Sequence, residues 1–311
     1  MGTRKVLYML TGGRWWYSAF AFACLATDKS RARASIGRGQ RTESEERRER
    51  SHRTAAKMLA VFDPTVAKCP EGLRSPPVAG AAAAAAGGVG ALMKGFSAAH
   101  DGAVTVSLGP SGALAYSAAN QSPLVPRLFG AVNDIFCLFQ GHIENIANLK
   151  QHYGLSKTAN EVTILIEAYR TLRDRGPVPA SQVVRDLSGK FAFILYDTLS
   201  KSTFVAADAD GSIPFFWGVD SEDHLVFSDD AGLLKTGCGN SFAPFPKGCF
   251  YTTSGGLQSY EHPLHEVKAV PRVDSQGQMC GSTFKVDSEA KKKQDASIPR
   301  VGSAADWSNQ F

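Results

Sequence analysis

The chain has 311 residues, of which 43% are apolar and 20% charged, enough to bury a sizeable core. Its formal charge of +5 would suit a nucleic-acid or membrane partner, but residues 1–57 hold 13 Lys/Arg against 5 Asp/Glu, while the other 254 residues hold 21 against 24. The remainder is mildly acidic, which excludes a basic nucleic-acid-binding face as the defining feature.

Residues 8–26 are apolar and aromatic after Arg4 and Lys5, a pattern that suggests a signal peptide. Arg14 and two glycines break it, and the uninterrupted part from Trp15 to Ala26 is too short to span a bilayer. Gly2 is in place for myristoylation, but Val6 stands where that signal wants Ser or Thr. From Thr27 to Lys57 the chain is rich in Arg, Glu and Ser and is expected to be disordered. The character changes at the strand-like Met58-Leu59-Ala60-Val61-Phe62-Asp63, so residues 1–57 read as a dispensable or spurious extension and Met58 as the functional start.

Residues 69–100 are rich in Ala, Gly and Pro. Polyalanine can be helical, but the flanking Gly and Pro predict a surface loop. Short strands are then expected over 103–108, 113–117, 128–132 and 135–140, with turns at Gly109-Pro110-Ser111-Gly112 and Asn133-Asp134. Helices should follow over 144–152, 160–175 with Asn160 as N-cap, and 179–187. Strands return over 191–197, 203–207, 215–219 and 225–228, and a hairpin over 249–260 turns at Ser254-Gly255-Gly256. Strands, a block of helices, then strands again predict a layered α+β domain over 58–287, followed by a disordered tail over 288–311.

Six cysteines are widely spaced, without a C-x-x-C pair or zinc-finger spacing, and read as reduced thiols of a cytoplasmic or nuclear protein. Cys137, within Ile135-Phe136-Cys137-Leu138-Phe139, reads as a small core residue. Asp208 and Asp210 beside Gly211 lack EF-hand spacing and read as turn formers. His262 and His265 have no further ligands nearby in sequence, so no metal site is expected there.

Four segments resemble the glutaminase domain of asparagine synthetase and other class II amidotransferases. Phe139-Gln140-Gly141-His142-Ile143-Glu144-Asn145 is similar to the Asn-Gly-Glu-Ile-Tyr-Asn motif, and Leu187 to Asp197 is similar to the Leu-x-Gly-x-Phe-Ala-Phe strand. Ala207 to Phe216 resembles the Arg-Asp-x-x-Gly-x-x-Pro-Leu turn, and Val226-Phe227-Ser228-Asp229-Asp230 resembles Phe-Ala-Ser-Glu. Over the whole span from Met58 to about Val286 the chain resembles plant aluminium-induced and stem-specific proteins named for two motifs, present here as Tyr153-Gly154-Leu155 and Leu172-Arg173-Asp174-Arg175. That group begins with Met-Leu-Ala-Val-Phe.

The resemblance implies a four-layer αββα sandwich of the Ntn-hydrolase type. Such a glutaminase needs Cys, Ser or Thr at a processed N-terminus, whose own amine serves as base. Met58 and Leu59 cannot attack an amide, and Cys69 could serve only after cleavage immediately before it. The oxyanion-hole Asn-Gly becomes Gln140-Gly141, and the Asp that pairs with the substrate ammonium becomes Ala159. The expectation is therefore a pseudoenzyme without catalytic residues or cofactor. Its remnant pocket would comprise Gln140, Gly141, His142, Asn160, Asp208 and Gly211 and bind a small amino-acid-like ligand or a protein partner. The resemblance also implies a stress- or metal-responsive protein that self-associates. Open alternatives are a glutaminase or amide hydrolase exposed by processing, and a pure interaction scaffold. His142 is the titratable candidate of the pocket, whereas Arg173, Asp174 and Arg175 close a helix and suggest a structural salt bridge.

Overall fold

The strand at Met58 is apolar at every position, so it suits a place buried on both faces. In the computed structural model, which describes residues 57–75, 88–118, 128–175, 179–273 and 279–287, β1 (Lys57–Phe62) lies inside a six-stranded sheet. Met58, Ala60 and Phe62 point into one core, and Leu59 and Val61 into another on the opposite side. The ladder begins one position before Met58, at the pairing of Lys57 with Ser117. The expectations for residues 1–56, including the start of the chain, and for the tail at 288–311 fall outside the described residues.

This first sheet also contains β2 (Ala103–Ser107), β3 (Gly112–Ser117), β8 (Phe216–Val219), β9 (Leu225–Ser228) and β10 (Phe242–Pro244), in the order β10-β8-β9-β1-β3-β2. The second sheet has the order β12-β11-β7-β6-β5-β4. It comprises β4 (Phe129–Val132), β5 (Ile135–Ile143), β6 (Gly189–Asp197), β7 (Ser202–Ala207), β11 (Cys249–Thr252) and β12 (Gly256–Ser259). Asn133 and Asp134 both take positive φ, 49° and 62°, as a two-residue hairpin turn requires. Leu138, Ala192, Ile194, Val205 and Ala207 face the first sheet, and Cys137, Phe139, Phe193, Leu195 and Phe204 face away from it.

Helices cover both outer faces. The region expected as a loop over 69–100 is partly helical: α1 (Val89–Ala99) buries Leu92 and Phe96, spaced one turn apart, against Leu59 and Val61. This apolar stripe outweighs the glycines that flank it. The sequence reading also missed α5 (Ala231–Cys238), which lies on the same face. Asp230 caps its start by accepting from the Gly232 and Leu233 N–H groups at 2.8 and 3.3 Å, and Gly239 ends it at φ 60°. On the second sheet lie α2 (Ile146–His152), α3 (Glu161–Arg175) and α4 (Ala180–Arg185). A third, two-stranded sheet of β13 (Val267–Val273) and β14 (Met279–Val286) was not foreseen as strands; it sends Phe284 against Trp217, with ring centroids 4.9 Å apart. Helices, sheet, sheet, helices make the four-layer α+β sandwich that the sequence led us to expect. Among the described residues no helix is long and apolar enough to cross a membrane.

Candidate functional site

Pairing of β1 with β9 ends where Leu59 faces Ser228, so the next residue, Asp229, projects past the ladder. Its carboxylate takes over the hydrogen bonding of the strand's first turn: the Met58 N–H donates to Oδ1 at 3.0 Å. Ser228 Oγ donates to the Met58 carbonyl at 3.0 Å, which fixes that residue from its other side. Gln140 belongs to the face of β5 that looks across the sandwich, and its Nε2 donates to Asp229 Oδ2 at 3.0 Å. Lys57 Nζ stands 3.2 Å from the same oxygen. One carboxylate, 4% exposed at its side chain, thus gathers three donors from two sheets.

This arrangement holds the start of β1, where the resemblance would put a glutaminase's nucleophile. Met58 and Leu59 are both fully buried. The Gln140 amide, which in the resemblance replaces an oxyanion donor, is directed at a resident negative charge. Oxyanion stabilisation requires donors aimed at the charge that develops in the reaction.

Thiol chemistry fares no better. Among the described residues Cys69, Cys137, Cys238 and Cys249 are unpaired. Burial raises the Cys69 thiol, half-buried with Sγ 3.3 Å from the Pro70 carbonyl. Burial pushes those of Cys238 and Cys249 up to about 12 and raises that of fully buried Cys137 further still. A nucleophilic cysteine needs the opposite shift.

The other expected pocket residues have local duties. Gly141 takes φ +112°, and a Cβ there would overlap the Lys190 carbonyl oxygen, so glycine is required by close strand approach. His142 is exposed beside it. Asn160 Oδ1 accepts from the Thr163 N–H and hydroxyl, both at 2.9 Å, and so caps α3. Asp208 accepts the Ser212 N–H with both carboxylate oxygens, at 2.9 and 3.1 Å, closing a turn in which Gly211 has φ +64°. Ala207 lies two strands across from Gln140, through Ala192, a separation of roughly 10 Å. Gln140 and Gly141 therefore sit with Lys57, Met58 and Asp229, whereas Asn160 and Asp208 hold their own turns. The rings of His262 and His265 stack with centroids 5.4 Å apart, and among the described residues no three His, Cys, Asp or Glu side chains are grouped to hold a metal.

Both short motifs do structural work. In Tyr153-Gly154-Leu155, Gly154 has φ +64°, its N–H donates to the Gln151 carbonyl at 3.3 Å, and the Leu155 N–H donates to the Lys150 carbonyl at 2.8 Å. This double closure ends α2 and seats Tyr153 and Leu155 against the outer core. In Leu172-Arg173-Asp174-Arg175, Arg173 Nη1 reaches Asp197 Oδ2 at 2.9 Å, and its Nε reaches Asp174 Oδ1 at 2.7 Å. Leu172 packs on the outer core.

Asp197 also accepts from Tyr169 OH at 3.0 Å, Ser200 Oγ at 2.9 Å and the Leu199 N–H at 2.9 Å. Burial alone would raise its carboxyl, but Arg173, Ser200, Tyr169 and Leu199 together hold it below the usual carboxylate range. Burial raises the Tyr169 hydroxyl. The sequence reading singled out Arg173 for a structural salt bridge, but not its partner Asp197, nor Tyr169, Ser200 or Asp229, as site residues. The single available signal was an aspartate closing an apolar strand ahead of Thr198-Leu199-Ser200, a turn former.

Two antiparallel sheets face to face, with helices on both outer sides, make the four-layer α+β sandwich that the resemblance to class II glutamine amidotransferases implied. Residues 59–286 match the family described as aluminium induced protein. The chain belongs to that family. It is 47% identical over 93 residues to stem-specific protein TSJT1 of Nicotiana tabacum, a match covering 30% of this chain and 62% of that one. It is 31% identical over 131 residues to glutamine-hydrolysing asparagine synthetase 2 of Oryza sativa subsp. japonica, covering 42% of this chain and 20% of the synthetase. The chain thus spans less than two thirds of the tobacco protein and about a fifth of the synthetase. Among solved structures, glutamine phosphoribosylpyrophosphate amidotransferase of B. subtilis superposes with a TM-score of 0.36 at 17% identity, covering 48% of this chain and 34% of that one. A glutamine aminotransferase class-II domain protein from Silicibacter pomeroyi gives 0.31 at 14%, covering 47% and 73%.

Proposed function

We propose that this chain is a non-catalytic amidotransferase-like protein of the stress response that acts by binding and does not hydrolyse glutamine. The observation that carries the reading is the carboxylate of Asp229. It draws the Met58 N–H, the Gln140 amide and the Lys57 ammonium into one buried cluster where a nucleophile and its oxyanion donors would stand. A free amino acid would find Ala159 in place of an ammonium anchor and a Gln140 amide already engaged. A protein partner resting on the rim near exposed His142 is therefore favoured over a small amino-acid-like ligand. The family's description links its members to aluminium, and unpaired thiols suit a reducing cytoplasmic or nuclear setting.

The test is ammonia release from glutamine by the full chain. The expected result is no release above the enzyme-free rate. Turnover that vanishes on substituting one Cys, Ser or Thr would overturn the reading. A rise in melting temperature with any of the twenty free amino acids would replace the partner by a small ligand, because a ligand bound only to the native state must stabilise it. Self-association is part of the same proposal, and a monomer mass by light scattering would remove it.

The Met58 N–H to Asp229 contact also supports translation or processing that begins at Met58. Such a start would remove Lys57, and the free α-ammonium of Met58 would take over its place as the positive charge beside Asp229. N-terminal peptides of the native protein drawn from residues 1–57 would overturn this start.

A further inference from the structure

A cavity of about 370 Å³ opens beside the end of α3, on the outer side of the second sheet. It is separate from the amidotransferase-like cleft. Gln140 faces Ala192, and five residues of extended strand, roughly 17 Å, separate Ala192 from Asp197 at the cavity end of β6. The volume lies within the range of small-molecule sites, about 300–1,000 Å³.

Hydroxyls dominate the walls. Tyr169 contributes one from α3, Ser200 from the β6–β7 turn, Ser202 from the start of β7, and Thr252, Thr253 and Ser254 from the end of β11 and the turn after it. Each hydroxyl can donate once and accept twice, so those already bonded within the protein keep capacity. Thr252 Oγ1 accepts the Gly255 N–H at 3.0 Å and still has its own hydrogen to give. The side-chain amide of Gln258 adds a donor and an acceptor at the rim, and Phe204 and Phe250 add an apolar floor.

The charge at this place selects among ligands. Arg173 is the lining cation, and it is bound by Asp174 and Asp197, so one positive charge meets two negative ones. An anion gains no net attraction there, and a bare cation would have to compete with Arg173 for its carboxylates. Walls that both donate and accept suit a ligand whose own groups do the same. We infer that this cavity is a binding site for a small, neutral, polyhydroxylated molecule of monosaccharide size, with its hydroxyls on the Ser/Thr/Tyr walls and its C–H face on the Phe204–Phe250 floor.

Titration of the full chain with D-glucose and with myo-inositol, read by saturation-transfer difference NMR and calorimetry, tests the site. Inorganic phosphate and L-glutamine serve as comparison solutes. The expected result is saturable binding of at least one polyol and none of phosphate. Affinity should fall about tenfold in Gln258→Leu, the loss of a single hydrogen-bonding group, while the melting temperature stays unchanged. Absence of saturation with both polyols, equal binding of phosphate, or undiminished affinity in the variant would each overturn the inference. Because the cavity lies away from Gln140 and Asp229, glutamine hydrolysis by the protein would overturn the proposed function and leave this site standing.

Discussion

Two aspartates, one at the end of a strand in each sheet, solve the same problem in different ways. Asp197 collects its donors from its own turn and from the helix lying over it: Leu199, Ser200, Tyr169 and Arg173. Asp229 collects donors that are 171 and 89 residues away, Met58 and Gln140. The first arrangement pins α3 to the sheet and leaves a cavity beside it. The second bridges the two sheets at the start of β1. Both are buried carboxylates, and among the described residues a cavity lies beside the local one.

The difference can be broken by substitution. The largest effect is expected at Asp197→Asn. An amide leaves one oxygen to serve four donors, and Arg173 loses its deeper partner, so unfolding free energy at pH 7 should drop by about 3 kcal/mol in urea denaturation. Asp229→Asn should cost about 2 kcal/mol, since its third donor, Lys57, is partly solvated. A larger loss at Asp229 than at Asp197 would reverse the ranking drawn here.

Acid sharpens the comparison. The Asp197 carboxyl is held below its ordinary value of 3.8 in the folded state, so its contribution is complete above about pH 4 and is lost as pH falls through the lower, folded value. The gap in urea midpoint between the parent chain and Asp197→Asn should therefore be wide at pH 7 and narrow at pH 3. A gap that widens in acid would contradict the assigned ion pair. The smallest effect is expected for Lys57→Met, about 0.5–1 kcal/mol, because this ammonium keeps a fifth of its side-chain surface in solvent.

Much of the frame was legible in local chemistry. Asn160 announces the start of α3, and Gly154 announces the end of α2. The Asn133-Asp134 pair announces a tight hairpin. Where the sequence reading failed, tertiary packing outweighed local signals. Val89–Ala99 reads as a glycine-rich loop until Leu92 and Phe96 find Leu59 and Val61 beneath them. The helix at Ala231–Cys238 is short and became stable through its Asp230 cap and its seat on the same core.

The same division holds for the site. Residue identity alone established that Met58 and Leu59 offer no nucleophile and that Ala159 offers no carboxylate, because reactivity requires particular atoms. Only the folded chain decided that Gln140 would spend its amide on Asp229, and that Arg173 would border a hydroxyl-lined cavity. Those partners lie far apart along the chain, and it is the stacking of two sheets that brings them within hydrogen-bonding distance.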